Sequence, residues 1–530
     1  MQFNVFDFIF SIIFTAIFVF GYILTNNDAF ELTISKPESI VYILTSIVLF
    51  FAIYFGLSVV RNLINNNKQT SKSRVIFLKN IPDSKLWVMI SIFIFLCYIP
   101  IILLSSSELT YDSWNIIAQS TGQLPLTNAH PVIFTAFVSI FTKLGIAVGN
   151  INLGITMFTF VQSAILSVIF GKITIWQRRI GMRTYGVLAT LLFYTILPIN
   201  SFAGTVFWKD ILFAGFGLLL LQKILQLQIE KNSFFTKKNI LLFIVYGFLF
   251  SILRNNGLYA YILFFVCIIL LNRKAFFNKK HLLLLFSPVL LAVLYLLPVT
   301  LTVGPASSVE SLSVPLQQIS RTVKYHSASM SDADKEIINE IFPYSELGER
   351  YNPGLSDPIK WVFNKSAFDN NKSKYIGEWI KLSYKYPKTY IAAFMYNTYG
   401  YLYPFKDSST TTDLVINNAD QINAFSGYSD SSYQWGGKKV LTKYRDVISS
   451  TLPQIRNIGF YSCVILFALY ISLIMKNRSL DGVFFLLMSL FITVILGPVN
   501  GEFRYLYLFV IALPLIYSAL FSKIKIKPKE

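Results

Sequence analysis

Residues 131–148 read PVIFTAFVSIFTKLGIAV, and whether this stretch crosses a membrane decides the topology of the whole chain. It is apolar and close to the ~20 residues a helix needs to cross a ~30 Å hydrocarbon layer. Further on comes WQRRIGMR, residues 176–183, with Arg178, Arg179 and Arg183. If 131–148 crossed, that segment would face away from the other basic loops, against the positive-inside tendency. The charges therefore predict that 131–148 stays on the outer side, as a helix lying on or dipping into the bilayer.

The rest of the chain supports a membrane setting. Its 530 residues are 54% hydrophobic and 16% aromatic, with only 14% charged and a mean hydropathy of +0.56. Soluble domains carry about a quarter charged residues. A net charge of +19 suggests nucleic acid at first sight. The basic residues, however, crowd into short loops between apolar runs, which points to membrane topology and no nucleic-acid partner. Cys97, Cys267 and Cys463 all fall inside apolar runs, so no disulfide framework or thiol metal site is expected. The first run, 6–24, lacks a basic n-region and a small-residue cleavage site, and is expected to stay as a membrane helix.

The predicted fold is an all-α polytopic membrane protein with about twelve transmembrane helices. The candidate spans are 5–25, 40–60, 86–104, 152–173, 184–200, 207–225, 240–253, 255–271, 281–303, 457–475, 483–499 and 505–522. Basic residues place loops 61–85, 176–183, 273–280 and 476–478 and the tail 523–529 in the cytoplasm, with both termini. Four parts follow: 1–85, two added spans and a basic loop; 86–303, a membrane core with an external loop over 105–151; 304–456, an external region; and 457–530, three spans and the tail.

Two segments stand out. In SILRNNGLYA the chain must go out and back within 240–271, leaving Arg254 at or below the outer bilayer surface. Such an arginine faces a polar cavity or a partner, or else snorkels to water. The external region carries 17 basic and 15 acidic residues, hence no strong field. Within it SDADKEIINEIF reads as a helix capped by Ser331 rather than a calcium loop, since the loop's glycine is missing. Residues 374–405 are crowded with Tyr and Trp, suiting a helix at headgroup level or stacking on a sugar ring. Residues 406–440 read as a mobile loop.

Charged and polar residues gather at the outer ends of these runs: Asp112 and His130; Trp208, Lys209 and Asp210; Arg254; Gln317, Gln318 and Arg321; Glu502 and Arg504. Helix ends on one side of a bundle converge. A carboxylate there can act as a general base, and guanidinium groups match phosphate oxygens two at a time. Each residue also has a plainer reading. Asp112 would cap a helix beginning SWNIIAQS, His130 would be a polar residue at the turn before Pro131, Lys209 would snorkel beside Asp210, and Arg504 would anchor at the interface with Glu502 as partner.

The blocks YDSWNIIAQSTGQLPLTNAHPVI (111–133), FWKDILFAG (207–215), RNNGLY (254–259), ESLSVPLQQISRTV (310–323), YNPGLSDPIKWVF (351–363) and GPVNGEFRYLY (497–507) resemble a bacterial group of GT-C-like multi-pass membrane proteins. The order of features, an aspartate in the first core external loop and an arginine far downstream, resembles the GT-C superfamily of polyprenyl-phosphate-sugar-dependent glycosyltransferases. The resemblance spans about 100 to 510 and implies sugar transfer from a polyprenyl-phosphate donor to a glycan, wall polymer or glycolipid outside the plasma membrane. It implies Asp112 as base, Lys209, Arg254, Arg321 and Arg504 at the donor phosphate, and His130, Trp208, Asp210, Gln317, Gln318 and Glu502 around the substrates. Many relatives carry paired acids in the first loop. Here Ser113 and Trp114 follow Asp112, so a divalent metal is an option without a clear ligand pair. A lipid-linked glycan polymerase, a flippase of lipid-linked sugars and an inactive binding protein are the alternatives.

Overall fold

The computed structural model describes residues 3–26, 36–66, 80–104, 109, 111–271, 279–304, 308–406, 443, 450, 453–497 and 499–521. The basic residues of 67–79, 272–278 and 522–530, and the predicted mobile loop beyond Lys406, lie outside the described residues. Among the described residues the chain is helical, with only isolated β-bridges at Asn352–Leu355 and Leu355–Val499. It is an all-α protein of the polytopic membrane class. Among the described residues eight helices are long and apolar enough to cross a membrane, and a ninth span would come from a bent pair.

All twelve predicted segments fall on helices. In chain order they are α1 (Val5–Asn26), α2 (Lys36–Asn66), α3 (Asp83–Leu104), α6 (Ile151–Arg179), the bent pair α7 (Thr184–Ile196) and α8 (Pro198–Thr205), α9 (Lys209–Glu230), α10 (Lys237–Ile252), α11 (Asn255–Leu271), α12 (Lys279–Val303), α20 (Ile458–Ile474), α21 (Asp481–Ile495) and α22 (Tyr507–Phe521). The α7–α8 bend of 48° falls at Leu197–Pro198. Leu197 is extended (φ −63°, ψ 112°) because the proline ring excludes the helical region for the residue before it, while Pro198 opens α8.

The loop that decides the topology holds α4 (Tyr111–Thr121) and α5 (Val132–Ala147). α5 is a helix of 16 residues that turns back at Gly149 and packs along the start of α6. The approach requires glycine, because a Cβ on Gly154 would sit 2.3 Å from the Phe141 carbonyl oxygen. The α10–α11 turn is equally tight: a Cβ on Gly257 would lie 2.1 Å from the Phe250 carbonyl oxygen.

Hydroxyls and amides fasten the membrane core where proline or a bend disturbs the helix ladder, as apolar surroundings demand. Tyr98 donates to the Tyr194 carbonyl at 2.5 Å and Tyr194 to that of Ile511 at 2.9 Å; Gln177 reaches the Pro514 carbonyl at 2.8 Å. The added helices α1 and α2 are pinned by a buried Asp7, which faces Arg61 Nε at 3.0 Å and accepts from Tyr470 Oη at 2.8 Å.

The region after α12, predicted to be external, folds on a core of its own, which includes Leu316, Ile338, Phe342, Leu347 and Leu382. It comprises α13 (Ser313–His326), α14 (Asp332–Ile341), α15 (Tyr344–Arg350), α16 (Asp357–Lys360), α17 (Lys365–Asn370), α18 (Lys372–Lys385) and α19 (Pro387–Thr398). Ser331 caps α14, its hydroxyl accepting from the Asp334 N–H at 3.2 Å. The aromatic run 374–405 contributes to packing: Tyr390 and Tyr396 are buried, and Trp379 donates to Gln318 Oε1 at 2.8 Å.

Candidate functional site

Four separate stretches meet at one end of the bundle. Asp112 comes from the first turn of α4, His130 from the turn before α5, Trp208 and Lys209 from the start of α9, and Arg504 from a short 3-10 turn ahead of α22. Arg504 Nη1 donates to Asp112 Oδ2 at 2.7 Å, and Lys209 Nζ lies 3.6 Å from the same oxygen. Because the observed helix begins at Tyr111, Asp112 stands inside its first turn and turns its carboxylate to these cations, which replaces the helix-cap reading.

Burial alone would raise the Asp112 carboxyl, but Arg504 and Lys209 outweigh it and hold the group well below the usual carboxylate range. Lys209 Nζ also stands 2.9 Å from His130 Nδ1. Burial, reinforced by the lysine charge, pushes the imidazole down to about 4. His130 is therefore neutral near pH 7, with Nδ1 accepting from the ammonium and Nε2 keeping the proton.

A second ion pair lies behind the first. Asp210 is buried at the N-terminus of α9, where the helix dipole favours an anion, and faces Arg254 Nη1 at 3.1 Å. Arg254 is itself only 6% exposed, and Nη1 also donates to the Tyr505 carbonyl at 3.2 Å. The Tyr505 ring links the two arginines, 4.1 Å from the Arg254 guanidinium carbon and 5.3 Å from that of Arg504. Arg504 also covers the Trp208 ring at 4.9 Å, and its Nε lies 3.3 Å from Glu502 Oε1. Burial, helped by the charges of Asp210 and Asp112 and opposed by Arg504, raises Glu502 to about 7. Two neighbouring carboxyl groups thus differ sharply in proton affinity.

The external region holds this assembly in place. Leu355 bridges to Val499, the Asn500 N–H donates to the Gly354 carbonyl at 2.8 Å, and Tyr401 Oη donates to the Val499 carbonyl at 2.7 Å. The backbone immediately before Glu502 is thereby fixed. Asp357 in α16 lies close enough for the Asp112 charge to act on it; burial, with Glu310 and Asp112, raises its carboxyl against the pull of Lys360.

Of the predicted residues, Asp112, His130, Trp208, Lys209, Asp210, Arg254, Glu502 and Arg504 come together. Gln317, Gln318 and Arg321 belong to the external core instead. Arg321 is 1% exposed, donates to Tyr351 Oη at 3.1 Å, and has the Tyr325 and Tyr396 rings at 4.7 and 4.9 Å. Gln318 is held between Trp379 and the Tyr390 carbonyl, and Gln317 donates to the Asn352 carbonyl at 2.8 Å, supporting the hairpin that meets Val499. Every residue of their helix from Leu316 to Val323 is buried. The sequence reading missed Tyr505 as the ring shared by two arginines, and Asn255, which donates to the Asn128 carbonyl at 3.2 Å and ties the first loop to the Arg254 turn. Both adjoin predicted arginines, the one signal that would have found them.

The donor set does not suit a divalent metal. Asp112, Asp210 and Glu502 each already face a cation. Among the described residues no three His, Cys, Asp or Glu side chains converge as ligands.

No curated protein and no solved structure matches the chain significantly. The profile of a family of unknown function, DUF6020, matches residues 118–527, from within α4 past the end of α22, and the chain belongs to that family.

Proposed function

We propose that this protein is a GT-C-like membrane glycosyltransferase of about twelve spans in the plasma membrane. Both termini would be cytoplasmic, and the carboxylate cluster would face outward. It would transfer a sugar from a polyprenyl-phosphate donor to a surface glycan, wall polymer or glycolipid. The observation that carries the reading is the ionised Asp112 beside Lys209 and Arg504, two cations able to exchange that carboxylate for a phosphate.

Arriving donor phosphate competes with Asp112 for Arg504 and Lys209. As the cations turn to the phosphate, the proton affinity of Asp112 climbs toward its ordinary value, which suits it as a base only when donor is bound. The acceptor oxygen attacks the anomeric carbon while Asp112 takes its proton. The bond from that carbon to the phosphate oxygen breaks, and polyprenyl phosphate leaves with the electron pair, giving inversion. The leaving group is stabilised by fixed cations and needs no general acid. His130 Nε2–H and Trp208 flank the space where a sugar would bind, and Arg254 with Asp210 braces the arginine–tyrosine wall behind it.

Asp112→Asn tests this reading. Sugar transfer from a polyprenyl-phosphate-linked donor, measured in membranes, should fall at least about 100-fold with protein level unchanged. Full activity would remove Asp112 as base. Movement of intact lipid-linked sugar across vesicles, with the sugar–phosphate bond unbroken, would replace the transferase with a flippase.

A further inference from the structure

The other end of the bundle carries a group of cations, one of them buried and one half-buried, whose hydrogen-bond partners are uncharged. Lys223 lies 13 positions along α9 from Asp210, about 20 Å at 1.5 Å per residue. It is 4% exposed, and its Nζ donates to Gln226 Oε1 and Asn239 Oδ1, both at 2.8 Å. Across the gap to α6, Lys172 Nζ donates to Tyr246 Oη at 2.5 Å and stands 4.8 Å from that ring. Every one of these acceptors is uncharged. Lys172, Lys238 and Arg179 all lie close enough to act electrostatically on Lys223.

The nearby acids do not balance them. Glu230 accepts from Gln226 Nε2 at 2.9 and 3.0 Å, and Asp83 holds Arg178 and Arg179 at 3.4 and 2.7 Å. With Arg179 paired to Asp83, Lys172, Lys223 and Lys238 share Glu230 as the remaining nearby carboxylate. Ammonium groups inside a membrane bundle are costly without a counter-charge, and each has three N–H donors, of which the contacts above use one on Lys172 and two on Lys223.

We propose that Lys172 and Lys223 bind the phosphate of an anionic lipid headgroup at the end of the bundle opposite the carboxylate cluster. A lipid fits better than a soluble anion because the site opens sideways onto apolar surface. Val168, one turn before Lys172, is 44% exposed; on α10, Leu241 and Val245 are 61% and 37% exposed. These side chains offer a track for an acyl chain. The Trp87 indole N–H donates to the Val168 carbonyl at 3.0 Å, placing an amphipathic ring at the depth where headgroups lie. Basic pockets between spans recognise phosphate headgroups in this way.

The test uses the full-length protein in nanodiscs of phosphatidylcholine, alone or mixed with phosphatidylglycerol, with retained lipid read by native mass spectrometry. Wild type should keep phosphatidylglycerol in preference to phosphatidylcholine. Lys172→Gln and Lys223→Gln should each reduce that retention about fivefold, as expected for roughly 1 kcal/mol per basic residue near a headgroup. Lys172→Arg should restore it. Lys172 is partly exposed, so its variants stand as the test if the Lys223 variant does not fold. No preference in wild type, or undiminished preference in Lys172→Gln, would overturn the site. Equal thermal stabilisation by inorganic phosphate in phosphatidylcholine nanodiscs would overturn the lipid as its source.

Discussion

Arg504 and Arg321 differ little as sequence: each stands in a mixed polar and aromatic stretch beyond an apolar run, and each suits a phosphate. Their surroundings differ in kind. Arg504 pairs with a carboxylate 392 positions away, has a second one beside it, and shares the ring of Tyr505 with Arg254. Arg321 is enclosed by tyrosines of its own region and donates to the hydroxyl of Tyr351 at 3.1 Å. A guanidinium among anions has something to give up to an incoming phosphate. One that is 1% exposed among aromatic rings is part of the packing, out of reach of an incoming phosphate.

The largest expected effect comes from exchanging the two roles. Arg504→Leu should lower sugar transfer at least about 100-fold, the cost of losing a fixed donor at developing charge, while the protein still inserts and loses only about 1–2 kcal/mol of stability. Arg321→Leu should do the opposite. It strips the cation from three rings and leaves Tyr351 Oη without its donor, so stability should fall by about 2–4 kcal/mol with activity per folded molecule near wild type. Thermal unfolding and transfer measured on the same preparations check both. Loss of activity without loss of stability in Arg321→Leu would put Arg321 back at the donor.

A smaller effect separates the two carboxyl groups beside Arg504. Asp112 is ionised throughout the neutral range, whereas Glu502 is raised from an ordinary 4.5 to about 7. Below 4.5 Glu502 is protonated both folded and unfolded. Between 4.5 and 7 the folded state keeps a proton that the unfolded chain has released, so stability is present at the acid end and is lost as pH rises through 7. The change is on the order of 3 kcal/mol. The unfolding temperature should therefore decline across that window, and Glu502→Gln, neutral at every pH, should remove that part of the slope. The same slope in the variant would show that another group carries it.

These contrasts also mark what sequence reading reaches. Apolar runs of membrane length located the twelve long segments that lie on helices, and the arginines of 176–183 set 131–148 apart as a helix that does not cross; the turn of α5 back onto α6 at Gly149 came only with the structure. Charged residues at the ends of those runs gathered eight residues that do converge. Arg321 was gathered with them because nothing local separates a guanidinium that will meet Asp112 from one that will meet Tyr351 and Tyr396. That choice depends on the rest of the region closing around α13 from Leu316 to Val323, a tertiary matter. Tyr505 was passed over for the same reason, since one tyrosine beside an arginine reads as an interfacial anchor until a second arginine, 251 positions away, arrives at its backbone.

The smallest expected effect tests whether that ring is structural glue, as the tyrosines around Arg321 are, or a partner in chemistry. Tyr505→Phe keeps the aromatic face over Arg254 and Arg504 and removes only the hydroxyl, so stability and transfer should both stay near wild type. Tyr505→Leu removes the face. The loss should be about 1–2 kcal/mol for a partly desolvated cation–π contact, with transfer falling as Arg254 and Arg504 lose their common support. A large loss of transfer in Tyr505→Phe at unchanged stability would assign the hydroxyl a direct role at the substrate, and the ring would then belong with Asp112 rather than with the packing that holds it.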